Sequence, residues 1–269
     1  MKAVWAMLYT TFRTLSRYPT QYLSGSVGPF LWAIPTLLLI QYANRSGLEN
    51  GFTNATGLDP RLALSYLFIG GLYWNYVEGV WSVALSVRQN FLAGTLEALW
   101  VTQASRISLI MGWSLGRLIG ITANSAVAVV ILVILTPPLP IVSWLSAIVV
   151  LVISLMAAYG FAFFLAGLSL RYKDDGSIVS MLGNAAPLLG GVIFPITMLP
   201  LPIRVLGYAF PFTYGADVIR GLIVGSRTLI PFPWEMALII AMGILLPIIG
   251  WISFVRLEQR ARSAGLGGF

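Results

Sequence analysis

Residues 141–170 read IVSWLSAIVVLVISLMAAYGFAFFLAGLSL, an apolar run without one charged side chain. A helix of about 20 such residues crosses a hydrocarbon core of ~30 Å. Lipid offers backbone N–H and C=O groups no partners, so a run of this kind has to satisfy them within a helix. Five more stretches share its character, which sets six transmembrane helices at 21–42, 62–87, 109–135, 141–170, 178–199 and 235–255. The composition agrees: of 269 residues 58% are hydrophobic and 9% charged, against about 25% charged in an ordinary soluble domain. A soluble globule is excluded. So little chain lies between the runs that residues 1–269 form a single all-α membrane domain.

Cysteine and histidine are both absent. Disulfides, thiolate nucleophiles, Cys/His zinc sites, imidazole bases and histidine-ligated haem are thereby removed, and no cofactor or metal is expected in this chain. The formal charge of +7 does not signal nucleic acid, because the basic residues are scattered between apolar runs and form no cluster beside aromatic platforms. They report topology instead. Six crossings place eleven of them on one side (Lys2, Arg13, Arg17, Arg88, Arg106, Arg117, Arg171, Lys173, Arg256, Arg260 and Arg262) and five on the other (Arg45, Arg61, Arg204, Arg220 and Arg227). The richer side faces the cytoplasm, so both termini are expected inside a multi-pass chain of the inner membrane.

Three segments depart from simple crossings. In residues 1–18, Trp5, Leu8, Phe12 and Leu15 recur at helical spacing while Lys2, Arg13 and Arg17 fall elsewhere, the pattern of an amphipathic helix lying on the membrane and ended by Pro19. In 88–106, Phe91, Leu92, Thr95, Leu96 and Leu99 share one helical face and Arg88, Gln89 and Glu97 lie off it, which suits a short helix along the inner surface. That helix either receives force from a soluble partner or only tidies a loop. Residues 187–225 carry Pro187, Pro195, Pro200, Pro202 and Pro211 among repeated glycines, so no continuous helix forms there. Two short helices, about 201–209 and 214–225, are expected to dip back towards the outer leaflet as a re-entrant region over 200–225.

Charged residues in unusual places are the remaining signals. Glu78 and Arg117 are the acid and the base deepest in apolar runs, and their distances from the inner ends of spans two and three make them a candidate intramembrane pair. Asp217 and Arg220 lie three apart, which predicts an ion pair on one face of the second re-entrant helix, at the surface rather than on a substrate. Pro29 and Pro35 in the first span, and Pro187 and Pro195 in the fifth, should bend or break those helices.

Three pieces of sequence, taken together, carry a resemblance to a known family. They are Gly94-Thr95-Leu96-Glu97-Ala98-Leu99; Phe194-Pro195-Ile196-Thr197-Met198-Leu199-Pro200; and Phe210-Pro211-Phe212-Thr213-Tyr214-Gly215-Ala216-Asp217 with Ile219-Arg220-Gly221. The chain resembles, over nearly its whole length, the membrane subunit (permease) of ABC-2 type ATP-binding-cassette transporters, most closely the short exporters of drugs, lipids and polysaccharides. Gln103 departs from the pattern, since related sequences often have proline there. The resemblance implies a connector helix at 1–18 and a coupling helix at 88–106. Arg88, Gln89, Phe91, Gly94, Thr95, Leu96, Glu97 and Leu99 of the latter would dock on the ATPase. It also implies re-entrant helices containing Pro195, Pro200, Pro211, Asp217, Arg220 and Gly221. ATP and Mg would sit on two copies of a separate ABC ATPase subunit, beside a second permease subunit of the same or another kind and the surrounding membrane lipids.

One observation independent of the resemblance agrees with it. A phosphate-binding loop ends in Gly-Lys-Ser or Gly-Lys-Thr, but the only lysines are Lys2 and Lys173, preceded by Met1 and Tyr172. The chain is therefore expected to have no catalytic residues and to be no enzyme by itself. The expected function is ATP-driven export of an amphiphilic or hydrophobic substrate across the cytoplasmic membrane, with export of a lipid-linked polysaccharide as the alternative. A secondary carrier ranks lower, because the broken spans one and five belong to no evident repeat. An intramembrane enzyme also ranks lower, because a histidine base is missing and Asp174 and Asp175 are only two adjacent carboxylates.

Overall fold

The computed structural model describes residues 2–18, 34, 38, 51–92, 106–135, 140–172 and 177–263, and every regular element among them is helical. The first span, 21–42, lies outside the described residues except for Ile34 and Leu38, both helical and exposed.

Helix α1 (Lys2–Arg17) covers the expected surface helix and packs on α4 (Arg106–Leu135), with Thr11 seated over Gly116. Trp5, Tyr9 and Phe12 form its exposed stripe, while Leu8 turns half inward. A short helix, α2 (Gly51–Thr56), tucks Phe52 edge-on against Tyr66 with ring centroids 5.4 Å apart. One 3-10 turn follows, capped by Asp59, which accepts from the Arg61 N–H at 2.8 Å. It leads into α3 (Ala63–Leu92), whose 30 residues extend about 45 Å. Helix α3 runs past the end expected at 87 because nothing between Gly79 and Gly94 breaks it.

Helices α4 and α5 (Ile141–Tyr172) match the expected third and fourth runs to within a few residues. Helix α6 (Ser177–Leu189) corrects the fifth. Its 13 residues reach only about 20 Å, because Pro187 and the following Gly190-Gly191 turn the chain well before 199. Two short helices then appear as expected: α7 (Leu201–Gly207) and α8 (Pro211–Val224). Helix α8 begins three residues early, since Pro211 has its φ preset for a first helical turn. Helix α9 (Phe232–Ser263) runs longer than 235–255 at both ends. By length and composition Ile141–Leu168 of α5 and Phe232–Leu257 of α9 suffice to cross a membrane.

The most extensive contact joins α5 to α9, and glycines decide how close it is. Gly160 and Gly167 on α5, and Gly243 and Gly250 on α9, are spaced seven apart in each helix. A Cβ at Gly160 would overlap the Leu246 carbonyl, and one at Gly250 would overlap the Gly160 backbone. Such backbone contact maximises dispersion where no hydrophobic effect drives helices together. Helix α3 packs on the other side of α5 and also on α4. Trp74 and Trp81 of α3, Phe161 of α5 and Phe210 and Phe212 at the start of α8 close the middle, with Phe210 stacked on Phe212 at 4.9 Å.

Candidate functional site

The broken segment after α6 exposes backbone groups that a continuous helix would pair internally. Gly191 adopts φ +66, a left-handed value suited to glycine. The N–H groups of Val192 and Ile193 fold back to the Pro187 carbonyl at 3.0 and 3.2 Å. The Gly191 and Val192 carbonyls are left for another donor, and Arg220 of α8 supplies it.

Arg220 is almost fully buried, at 1% exposure. Its guanidinium donates from Nη1 to the Gly191 carbonyl at 2.9 Å, from Nη2 to the Val192 carbonyl, and from Nε to the Tyr66 carbonyl at 3.0 Å. It also lies over the Tyr66 ring, 4.0 Å from the centroid, and reaches the Tyr66 hydroxyl at 3.3 Å. Carbonyl dipoles and the ring face thus replace the water this cation has lost. Gly70, one helical turn along α3 from Tyr66, leaves the room: a Cβ there would overlap both the guanidinium and the Val192 carbonyl.

A second arginine repeats the device. Arg204 of α7 donates from Nη2 to the Thr197 carbonyl at 2.6 Å and the Leu199 carbonyl at 3.0 Å, fastening the 3-10 turn Ile196–Met198. Helix α7 is then tied to α8 by Thr213 Oγ1 donating to the Gly207 carbonyl at 2.7 Å and the Tyr214 hydroxyl donating to the Tyr208 carbonyl at 2.9 Å. Among the 14 residues of α8, all but Gly221 and Leu222 are buried, so it is an inserted helix with no free face.

The expected surface pair Asp217–Arg220 is corrected by this burial. The two side chains turn to different partners, with Asp217 Oδ2 accepting from the Leu229 N–H at 2.7 Å and pinning the loop beyond α8. Helix α8 is too short to cross the membrane. Burial pushes the Asp217 carboxyl up to about 6, against the downward pull of the Leu229 N–H and the Arg220 charge. Beside it stands Glu235, fully buried in the first turn of α9, whose carboxylate faces that of Asp217. Sequence reading missed Glu235 and Arg204. The available signal for Glu235 was an acid in the first turn of a long apolar helix.

The other expected residues fall as follows. Pro195 caps the 3-10 turn, Pro200 precedes α7 and accepts from the Ile203 and Arg204 N–H groups, and Pro211 opens α8. The Gly221 carbonyl accepts from the Gly225 N–H, which ends α8. Glu78 on α3 and Arg117 on α4 are both exposed; Gly79 faces the Arg117 stem, and no ion pair joins the two among the described residues. Arg88, Gln89 and Phe91 lie on the last turns of α3, whereas Gly94, Thr95, Leu96, Glu97 and Leu99 are outside the described residues.

The family model described as ABC-2 type transporter matches residues 2–224, from α1 to the last residue of α8. The chain belongs to the ABC-2 type transporter family. No curated protein matches it. The family is one of integral membrane transport subunits, and membership implies association with an ABC ATPase. The arginine-fastened segment belongs to the matched region, while α9, which packs along α5, lies beyond it.

Proposed function

We propose that the chain is the permease of an exporter that moves an amphiphilic or hydrophobic substrate out across the cytoplasmic membrane, driven by ATP hydrolysis on two separate ATPase subunits. The family match over residues 2–224 carries this reading. In the assembly a second permease subunit faces this one, and residues 88–106 receive the motion of the ATPases. With six crossings, the eleven-to-five bias in lysine and arginine puts both termini inside. The 30-residue lengths of α3 and α4 and the exposed Trp5-Tyr9-Phe12 stripe of α1 support the same arrangement. Nucleotide and Mg belong to the partner, since neither lysine stands in a phosphate loop. The scarcity of charge in the spans favours amphiphilic cargo over ions.

Proteoliposomes containing the permease with its ATPase should accumulate an amphiphilic dye only when ATP is on the ATPase side. Uphill movement by the permease alone would overturn the reading. The chain lacks cysteine, so single substitutions test topology directly. Asn54→Cys should react with an impermeant maleimide in intact cells and Ser177→Cys only after permeabilisation. Glu97→Lys and Arg88→Glu should weaken co-purification of the ATPase, and undiminished assembly in both would remove the coupling role from 88–106.

A further inference from the structure

Consecutive helices α4 and α5 both pack on α3, yet among the described residues they have no comparable contact with each other. The hydroxyl pair Ser114–Tyr159 joins them towards one end. Beyond it they part around a cavity of about 400 Å³, floored by Ile69 and Leu72 of α3 and roofed by Ile219 and Ile223 of α8. The latched helix α8 therefore forms one wall, since Ile219 immediately precedes Arg220. Two hydroxyl contacts hold the floor to the sides: Tyr76 to Thr122 at 3.3 Å, and Tyr73 to Ser154. The mouth lies between the exposed residues Ala126 of α4 and Ile148 of α5.

Two features of the wall point to a ligand. No charged side chain lines the cavity among the described residues, and its volume falls in the range, about 300–1,000 Å³, that encloses small organic molecules. The second feature is Ser125. It is 5% exposed, it belongs to the cavity lining, and its Oγ completes no hydrogen bond among the described residues. A buried hydroxyl left in this state favours a guest that offers a partner. We infer that the cleft between α4 and α5 binds an uncharged amphiphile, with an apolar body among the α3 and α8 side chains and one hydrogen-bonding group at Ser125 Oγ.

The inference rests on the export reading for its place in the membrane. Ser125 is ten residues from the α4 end at Leu135, about 15 Å away, which is near the middle of a ~30 Å core. A guest there enters sideways from the bilayer. Two sources have this chemistry, the exported cargo and a neutral membrane lipid such as a monoacylglycerol.

The test uses the full chain in nanodiscs and N-phenyl-1-naphthylamine, an uncharged probe with one N–H that accepts excitation from tryptophan. Trp144 lines the cavity and serves as the donor. Saturable energy transfer is expected and should drop in Trp144→Phe. Ser125→Ala should weaken probe binding by about fivefold or more, and Ser125→Thr should restore it. Ala126→Phe, whose ring fills the mouth, should abolish the saturable component while the protein melts as the wild type does. Binding unchanged in both Ser125→Ala and Ala126→Phe overturns the proposal. With the ATPase present, loss of ATP-driven probe export in Ala126→Phe identifies a cargo site. Export intact in Ala126→Phe, together with displacement of the probe by monoolein from the wild type, identifies a lipid site. If no ATP-driven export occurs with any variant, the export reading fails, while the binding result stands or falls separately.

Discussion

The seam between α5 and α9 and the seat of α8 are both close-packed, but they are held by opposite means. Along the seam two helices run on without a turn, α9 giving up one internal hydrogen bond at Pro247, and glycines at seven-residue spacing bring them into contact. Around α8 the chain has broken at Gly190-Gly191, and the carbonyls of Gly191, Val192, Thr197 and Leu199 in the irregular segment accept from Arg220 and Arg204. Continuity permits apolar packing. Discontinuity in an interior without water recruits cations, and α8 is fixed in place by the need to satisfy another segment's backbone.

Breaking that second region should have the largest effect. Arg220→Met leaves the Tyr66, Gly191 and Val192 carbonyls without this donor, and the folded yield and melting temperature of the solubilised protein should show a loss of about 3 kcal/mol or more. Arg220→Lys should recover only part of it, because an ammonium cannot reproduce the fork that reaches three carbonyls. A wild-type melting curve for Arg220→Met would remove the contrast altogether. The seam comes next. Gly250→Ala places a methyl against the Gly160 backbone, and thermal unfolding should register about 1–3 kcal/mol of destabilisation. Arg204→Met should cost about 1–2 kcal/mol by the same measurement, since this arginine is only partly buried and holds two carbonyls.

The smallest effect sharpens the comparison through pH. Burial raises the Asp217 carboxyl from 3.8 to about 6, so the folded chain holds this proton more tightly than the unfolded one. The resulting contribution favours the folded state at acid pH, falls as pH rises from 3.8 to about 6, and is level above that. Melting temperatures of Asp217→Asn should lack this component of the slope while keeping the Leu229 N–H bond through the amide oxygen. Identical pH profiles for the two proteins would show that Asp217 titrates as it does in the unfolded chain.

Legibility divides along the same line. Helix α5 was readable nearly to the residue, because its apolar run has clear ends and its backbone needs nothing from elsewhere. Helices α7 and α8 were readable as short helices from their prolines, but their partners were not. By sequence Arg220 counts among the outer charges and pairs with Asp217 by the i,i+3 rule, which holds for a helix with a solvated face. Helix α8 has no such face, and its arginine reaches instead to α3 and to a break about thirty residues upstream. The glycine seam was not read at all, since seven-residue spacing within one helix does not say which helix it meets.

From its residues alone this chain is a helical membrane subunit in which neither lysine stands in a phosphate loop, because apolar run length, charge scarcity and loop motifs are local properties. Which carbonyls the buried arginines serve, where Glu235 meets Asp217, and that α4 and α5 part around a cavity were decided only by tertiary structure. Each depends on backbone groups and side chains far apart in sequence finding one another where water cannot substitute.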